Sequence, residues 1–374
     1  MKILVINWQD IKHPLGGGAE VHLHEIFRRI VVRGHSVTLF CSIFGDAPRE
    51  ETIDGIRVLR SGGRHLFNFR VPLRYRMEFR HAGFDVVVDD MNKIPFFTPW
   101  FVKEPLVGMV LHLFRASIFR EAFFPIALYV YLAERLALRV YRKVPMAVIS
   151  KSTEEELERY GFPASRLRDV RIAVDRERYR ELGIPKSPVP MIGYLGRIKK
   201  YKSVDHLLKA FNIIRSHVKD AKLVIIGDGD GLPELKKLAQ TLGIADAVTF
   251  TGFVPLDEKV RLINQMHVVV NTSAKEGWGL TVTEANVCGV PVVASDVPGL
   301  RDAVKDGETG LLYKYGNIEQ LADLVLRLLH DEPLRQRLAA EAKKYAATFN
   351  WDDCADRMLK LLEETVERRR NEGR

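Results

Sequence analysis

The chain has 374 residues, 47% apolar and 28% charged, with a formal net charge of +9. That length suits two domains, and that composition excludes a disordered chain. Its three cysteines, Cys41, Cys288 and Cys354, are too scattered for a disulfide framework or a zinc knuckle, which points to a reducing, cytosolic compartment.

The first apolar run is too short for a secretory signal, and no stretch reaches the roughly 18 apolar residues of a membrane-spanning helix. Short apolar runs then alternate with helical patterns. Those at 2–7, 36–42, 84–90, 106–114 and 145–150 predict strands, and 19–32 and 150–161 predict helices. Such alternation predicts a parallel, doubly wound sheet. The pattern breaks at 181–191, where three prolines in a polar stretch read as a linker. It restarts with strands at 191–196, 221–229, 248–252, 267–273, 290–295 and 309–313, and a helix at 203–218. The expected organisation is α/β: two Rossmann-like domains, 1–180 and 187–351, facing each other across a cleft. A last helix over 352–374 is expected to pack back onto the first domain. Ligands of such sheets bind beyond the carboxyl ends of the strands.

Three stretches carry chemistry. In "HPLGGGAE" (13–20), Gly16, Gly17 and Gly18 let backbone approach a ligand, and the helix behind them presents N–H groups to an anion. The spacing is not GxGxxG and no acid ends the next strand, which disfavours a dinucleotide cofactor. A flexible turn is the alternative. In "GRIKKYK" (196–202), Arg197 and Lys202 follow a strand end where a phosphate could sit; a solvated basic loop is the alternative. In "NTSAKEGWGLTVTEA" (271–285), Glu276 and Glu284 stand eight residues apart. On one helix they would lie about 80° and roughly 12 Å apart, too far to converge. The stretch reads instead as strand, loop and helix, with Glu276 in the loop, Glu284 in the helix, and Gly277 and Gly279 freeing the backbone around Trp278. That layout suits an elongated ligand with hydroxyls at both ends and an anion between them; two ordinary surface glutamates are the alternative. Asp228-Gly229-Asp230 reads as a turn and cap rather than a metal motif.

Together these stretches resemble the retaining glycosyltransferases of family 4, which have the GT-B fold. The resemblance rests on the E-x7-E element at Glu276 and Glu284, "GGGAE", "RGHSVTLF" (33–40), "GRIKKYK" and His112 in "MVLHLF". It extends to "VIIGDGDG" (224–231), "FTGFVP" (250–255), "GVPVVASDVPG" (289–299) and "DGETGLLY" (306–313), and covers residue 2 to the "FNW" at 349–351. It implies transfer of a hexosyl unit from a UDP- or GDP-sugar to an acceptor hydroxyl, with retention, without a cofactor and without a bound metal. Glu276 is implied to hold donor-sugar hydroxyls and Glu284 the ribose. Arg197 and Lys202 are implied to neutralise the diphosphate, helped by N–H groups at Gly17, Gly18 and Gly279. His112 is implied to position the sugar, and Phe253 and Val254 to border the base. Gly277, Trp278, Leu280 and Thr281 complete the implied donor loop. Ala173-Val174-Asp175 departs from the family's frequent G-V-D, and Gly299-Leu300-Arg301-Asp302 from its G-x-P-E, so the sugar stays open. A sugar-nucleotide 2-epimerase and a non-catalytic binding protein are the competing readings.

The charge is uneven. Residues 1–186 hold 30 Lys/Arg against 22 Asp/Glu, and residues 187–374 hold 27 against 26. Residues 60–81 carry six arginines, four aromatics and a single acid, Glu78. Residues 119–143 join a long apolar run to Arg135, Arg139, Arg142 and Lys143. This second stretch is expected either to be a buried helix or to lie in a membrane interface with its arginines on headgroups. A lipid-linked glycan acceptor and peripheral attachment to the inner face of the cell membrane follow as expectations. A nucleic-acid partner is not expected, since no nucleic-acid-binding module is present.

Overall fold

The computed structural model describes residues 1–63, 66–91, 94–120 and 123–372. Arg64, His65, Glu121 and Ala122, within the two basic stretches, lie outside the described residues. The chain forms two compact units, Met1–Ala173 with Trp351–Arg374, and Val174–Asn350.

The first unit runs β1 (Lys2–Ile6), α1 (Gly18–Val32), β2 (Ser36–Cys41), β3 (Glu50–Ile53), β4 (Ile56–Arg60), α2 (Phe67–Met77) and β5 (Val86–Asp90). It continues with β6 (Leu106–Val110), α3 (Phe124–Val140), β7 (Met146–Val148), α4 (Lys151–Arg159) and β8 (Leu167–Asp169). Among the described residues its sheet has the order β3-β4-β2-β1-β5-β6-β7-β8. All neighbours are parallel except β3 and β4, an antiparallel hairpin. The hairpin turns on Asp54 and Gly55, both with positive φ, as a two-residue Asp-Gly turn requires. The central strands are buried over nearly all of their length, which is why they read as continuous apolar runs. Leu106 packs against both the cluster holding Phe67 and Val71 of α2 and the cluster holding Ala137 and Leu138 of α3, so α2 and α3 cover one face of the sheet. Ser150 caps α4, accepting from the Thr153 N–H.

The second unit runs β9 (Met191–Leu195), α5 (Val204–His217), β10 (Lys222–Ile226), α6 (Leu232–Thr241), β11 (Val248–Gly252), α7 (Leu256–Gln265) and β12 (Val268–Asn271). It continues with α8 (Leu280–Val287), β13 (Val292–Ser295), α9 (Leu300–Ala303), β14 (Gly310–Tyr313), α10 (Ile318–His330) and α11 (Glu332–Ala346). Its sheet is parallel throughout, in the order β11-β10-β9-β12-β13-β14. Its core packs Leu207, Leu208 and Phe211 of α5 and Leu321 and Val325 of α10 on Ile192, Tyr194 and Ile225.

The boundary falls between Ala173 and Val174, earlier than the proline-rich stretch at 181–191. That stretch is pinned to α7 rather than left as a free linker. The buried Asn264 amide donates to the Arg180 carbonyl at 3.0 Å and accepts from the Leu182 N–H at 2.9 Å, and the Ser187 N–H donates to the Gln265 carbonyl at 2.9 Å. The last helix, α12 (Trp351–Glu372), belongs to the first unit. Its Trp351 ring lies 6.0 Å from His22 of α1, and Asp356 pairs with Arg33 at 2.8 Å. Burial holds His22 neutral, its pKa pushed down to about 4.

One buried acid makes the first unit sensitive to pH. Asp89 at the end of β5 accepts from the Thr98 and Tyr141 hydroxyls, each at 2.5 Å. Burial outweighs both bonds and pushes its pKa up to about 6. An acid with a raised folded pKa binds its proton more tightly in the native state, so its contribution to stability falls as pH rises from about 4 to about 6. Asp89→Asn removes that slope. The variant should gain stability relative to the parent across this window, by up to about 3 kcal/mol, in urea unfolding followed at each pH. A difference that does not change with pH would contradict this.

Candidate active site

In the second unit the strand order reverses direction between β9 and β12, and in doubly wound sheets ligands bind outside the strand carboxyl ends at that point. The loops leaving those two strands are stitched together there. The Thr272 hydroxyl donates to the Lys202 carbonyl at 2.8 Å, and the Ala274 N–H to the Tyr201 carbonyl at 2.8 Å. Across the seam the Lys202 ammonium donates to Glu276 Oε1 at 2.5 Å, and the Ser273 hydroxyl donates to the same oxygen at 2.7 Å. Both side chains of the ion pair are largely buried. Burial opposes the charge on Lys202, but Glu276, together with Tyr201, outweighs it and the pKa moves up, while Arg197 pushes the other way. Arg197 itself is exposed just past β9.

Glycines shape the loop that carries Glu276. Gly279, at φ 94, turns the chain into α8, and a Cβ there would stand 2.6 Å from Leu300 Cδ2. Gly299, at φ 83, passes directly behind the loop: a Cβ there would lie 2.3 Å from the Glu276 carbonyl oxygen. Trp278 is buried, its indole N–H donating to the Thr283 hydroxyl at 3.0 Å and its ring edge-on to Phe349 at 4.9 Å. Its side chain therefore braces the loop from inside, and only its backbone is offered to a ligand. Gly277 and Leu280 flank that turn half-buried, and the Thr281 hydroxyl accepts from the Asn271 amide at 3.3 Å.

Glu284 is buried in α8. Lys259 of α7 donates to its Oε2 at 2.7 Å and to the Tyr179 hydroxyl at 3.1 Å. Burial first, and then Glu284, push the Tyr179 pKa far above its usual value, so the phenol stays protonated. Phe253 and Val254 follow β11, the edge strand two places from β9; Phe253 is exposed and Val254 half-buried. Asp228 caps its own turn through the Gly229 N–H at 2.7 Å, and Asp230 pairs with Lys199 at 2.7 Å.

Gly17, Gly18 and His112 belong to the first unit, the other predicted site residues to the second. Gly17 precedes α1, and its N–H already donates to Glu20 Oε2 at 2.7 Å. The acid in the first turn thus reaches back to the same donor that is expected to meet an anion. Gly18 opens α1. His112 lies two residues past β6, half-buried, its ring 4.9 Å from Phe114. The backbone after it is clasped by Glu134, a buried acid of α3 that accepts from the Phe114 N–H at 2.6 Å and the Arg115 N–H at 2.8 Å. That clasp holds Arg115 at φ 51, in the left-handed region.

Sequence reasoning missed Ser273, Lys259, Tyr179, Gly299 and Glu134. Only Glu134 had a visible signal, as a single acid within a long apolar helix.

The family model described as "Glycosyltransferase Family 4" matches residues 16–178, and that described as "Glycosyl transferases group 1" matches 175–345. The chain belongs to the family 4 glycosyltransferases. It is 37% identical over 199 residues to D-inositol 3-phosphate glycosyltransferase of Stackebrandtia nassauensis, covering 51% of this chain and 45% of that one. It is 31% identical over 248 residues to alpha-D-kanosaminyltransferase of Streptomyces kanamyceticus, covering 62% and 63%. The chain spans about half the length of the first curated relatives it matches. Among solved structures, Anabaena HepE in complex with UDP and glucose is similar with a TM-score of 0.76 at 19% identity, covering 97% of this chain and 100% of that one. This likeness shows the GT-B fold.

The Lys259–Glu284 pair yields a direct test. Lys259→Met leaves a buried carboxylate without its cation, a change that costs about 3 kcal/mol. Urea unfolding should register that loss, and the exposed control Lys219→Met should stay within about 0.5 kcal/mol of the parent. Equal midpoints for the two variants would contradict the pairing.

Proposed function

We propose that the chain transfers a hexosyl unit from a nucleotide-diphosphate sugar, UDP- or GDP-linked, to an acceptor hydroxyl with retention of configuration. The observation that carries this reading is the Lys202–Glu276–Ser273 cluster joining two loops at the switch point of the second sheet. The likeness to HepE, crystallised with UDP and glucose, supports a nucleotide-sugar donor.

Glu276 holds hydroxyls of the donor sugar, and Glu284 holds the ribose. Lys202 and Arg197 face the diphosphate, joined by the N–H groups that open α8. When the bond between the anomeric carbon and the phosphate oxygen breaks, its electron pair leaves with the diphosphate. The fixed cations and N–H groups stabilise that growing charge. The acceptor oxygen bonds to the anomeric carbon on the face the diphosphate leaves, and the acceptor proton passes to a phosphate oxygen. Configuration is thereby retained without an enzymatic nucleophile. Because side chains supply the positive charge, the reaction requires no bound metal and no cofactor. His112 positions the sugar, and Glu134 fixes the loop that carries it.

The acceptor in this reading is a lipid-linked glycan or another cell-envelope glycoconjugate bound by the first unit. The chain works on the cytosolic side, attached peripherally to the membrane. The basic balance of residues 1–186 and the exposed apolar side chains of α2 and α3 support attachment. No described helix is long and apolar enough to cross a membrane.

Thermal-shift screening against UDP- and GDP-sugars should find one donor that stabilises the protein by about 2.7 kcal/mol at 100 times its dissociation constant. Glu276→Gln should cut kcat by about a hundredfold or more when assayed well below the variant's unfolding midpoint, since a misaligned sugar loses that much; that midpoint falls as well, because Lys202 loses its counter-ion. Donor consumed without an acceptor would instead indicate an epimerase, and donor bound without turnover a binding protein.

A further inference from the structure

Helix α3 is turned inside out. Its buried face holds Ala127, Val130, Ala133, Glu134, Ala137 and Leu138, mostly small side chains. Its exposed face carries Phe124, Leu128, Tyr129, Leu132 and Leu136. An ordinary surface helix shows the opposite arrangement. This overturns the expectation of a buried helix with a charged end: the larger apolar side chains point away from the sheet. The neighbouring helix α2, on the same sheet face, buries large side chains, Phe67 and Tyr75, yet also exposes Phe69, Leu73 and Met77, four residues apart.

At its C-terminal end the exposed face of α3 changes from apolar to cationic. Arg135, Arg139 and Arg142, with Arg159 of α4, line a cavity of about 340 Å³ floored by Leu138 and Tyr160. No acid lines it. Arg142 donates to the Tyr160 carbonyl at 2.9 Å, Arg135 sits over the Tyr131 ring at 5.8 Å, and Arg159 has Glu155 3.8 Å away. The helix C-terminal carbonyls nearby favour these cations. They do not account for four guanidinium groups around one hollow.

We propose that this cavity binds the phosphate headgroup of an anionic phospholipid while the apolar face of α3 lies among the acyl chains of the same leaflet. The inference rests on the membrane reading above and gives it a location. Guanidinium groups fork onto phosphate oxygens, and an amphipathic face with flanking arginines is what an interfacial helix presents to a bilayer. A nucleic acid would satisfy the arginines but leave Leu128, Leu132 and Leu136 uncovered. A second copy of the chain would cover the leucines but bring its own four arginines to the same face.

The test uses the full chain and flotation with phosphatidylcholine vesicles, with and without phosphatidylglycerol. The parent should float only with the anionic vesicles. Each basic residue near an anionic surface contributes a factor of about five, so Arg135→Gln with Arg139→Gln should weaken binding about thirtyfold. Leu132→Ser with Leu136→Ser should also weaken it, whereas Lys219→Gln with Lys236→Gln, on the second unit, should leave it within about twofold. Parent binding that survives loss of both arginines would overturn this site and leave the membrane reading standing. A parent that binds neither vesicle would overturn both. Two further results would also overturn the site: a thermal shift with inorganic phosphate, lost in the arginine variant, without any vesicle binding; or a parent dimer that the leucine variant converts to monomer with vesicle binding intact.

Discussion

The ion pair between Lys202 and Glu276 is the interaction on which the second unit's site depends. Removing two charges from water costs several kcal/mol per ion, and such a pair persists only where geometry and further hydrogen bonds offset that cost. Here the Ser273 hydroxyl joins the Glu276 oxygen, and two further hydrogen bonds from the β12 loop to the Tyr201 and Lys202 carbonyls lock the approach. The pair does not need to stabilise the fold to matter. It holds a carboxylate and an ammonium at one strand edge with their orientations fixed before any ligand arrives, which is the arrangement that makes charge stabilisation effective.

That fixing depends on places where a side chain is forbidden. Gly299 passes so close behind Glu276 that a methyl group would meet the backbone carbonyl, and Gly279 must be left-handed for α8 to begin where it does. Trp278 and Phe349 fill the space beneath the same turn. The first unit solves a comparable problem differently. There a buried glutamate from α3 takes two backbone N–H groups of the loop after His112. The helix that offers its apolar face outward is thus the same helix that sets the loop carrying a predicted catalytic side chain.

Much of this was legible in the sequence because parallel strands buried on both faces leave unbroken apolar runs. Glu276 and Glu284 could be assigned to loop and helix from the glycines between them. What sequence could not supply was partnership at a distance. Lys259 looks like any lysine in a charged helix, and nothing in its spacing ties it to an acid 25 residues further on. Gly17 was assigned an anion because glycine before a helix leaves donors open, yet Glu20, three residues later, reaches back to one of them. The β3–β4 hairpin carried its Asp-Gly signal but sat in a stretch too polar to stand out as strand. Helix α3 could be recognised as apolar, but only packing shows which side of it faces the sheet.

A crystal structure of the chain with its nucleotide-sugar donor bound tests the central claim most directly. The expected result places sugar hydroxyls within hydrogen-bond distance of the Glu276 carboxylate, the ribose at Glu284 and the diphosphate against Lys202. A donor bound to the second unit away from all three side chains would contradict it.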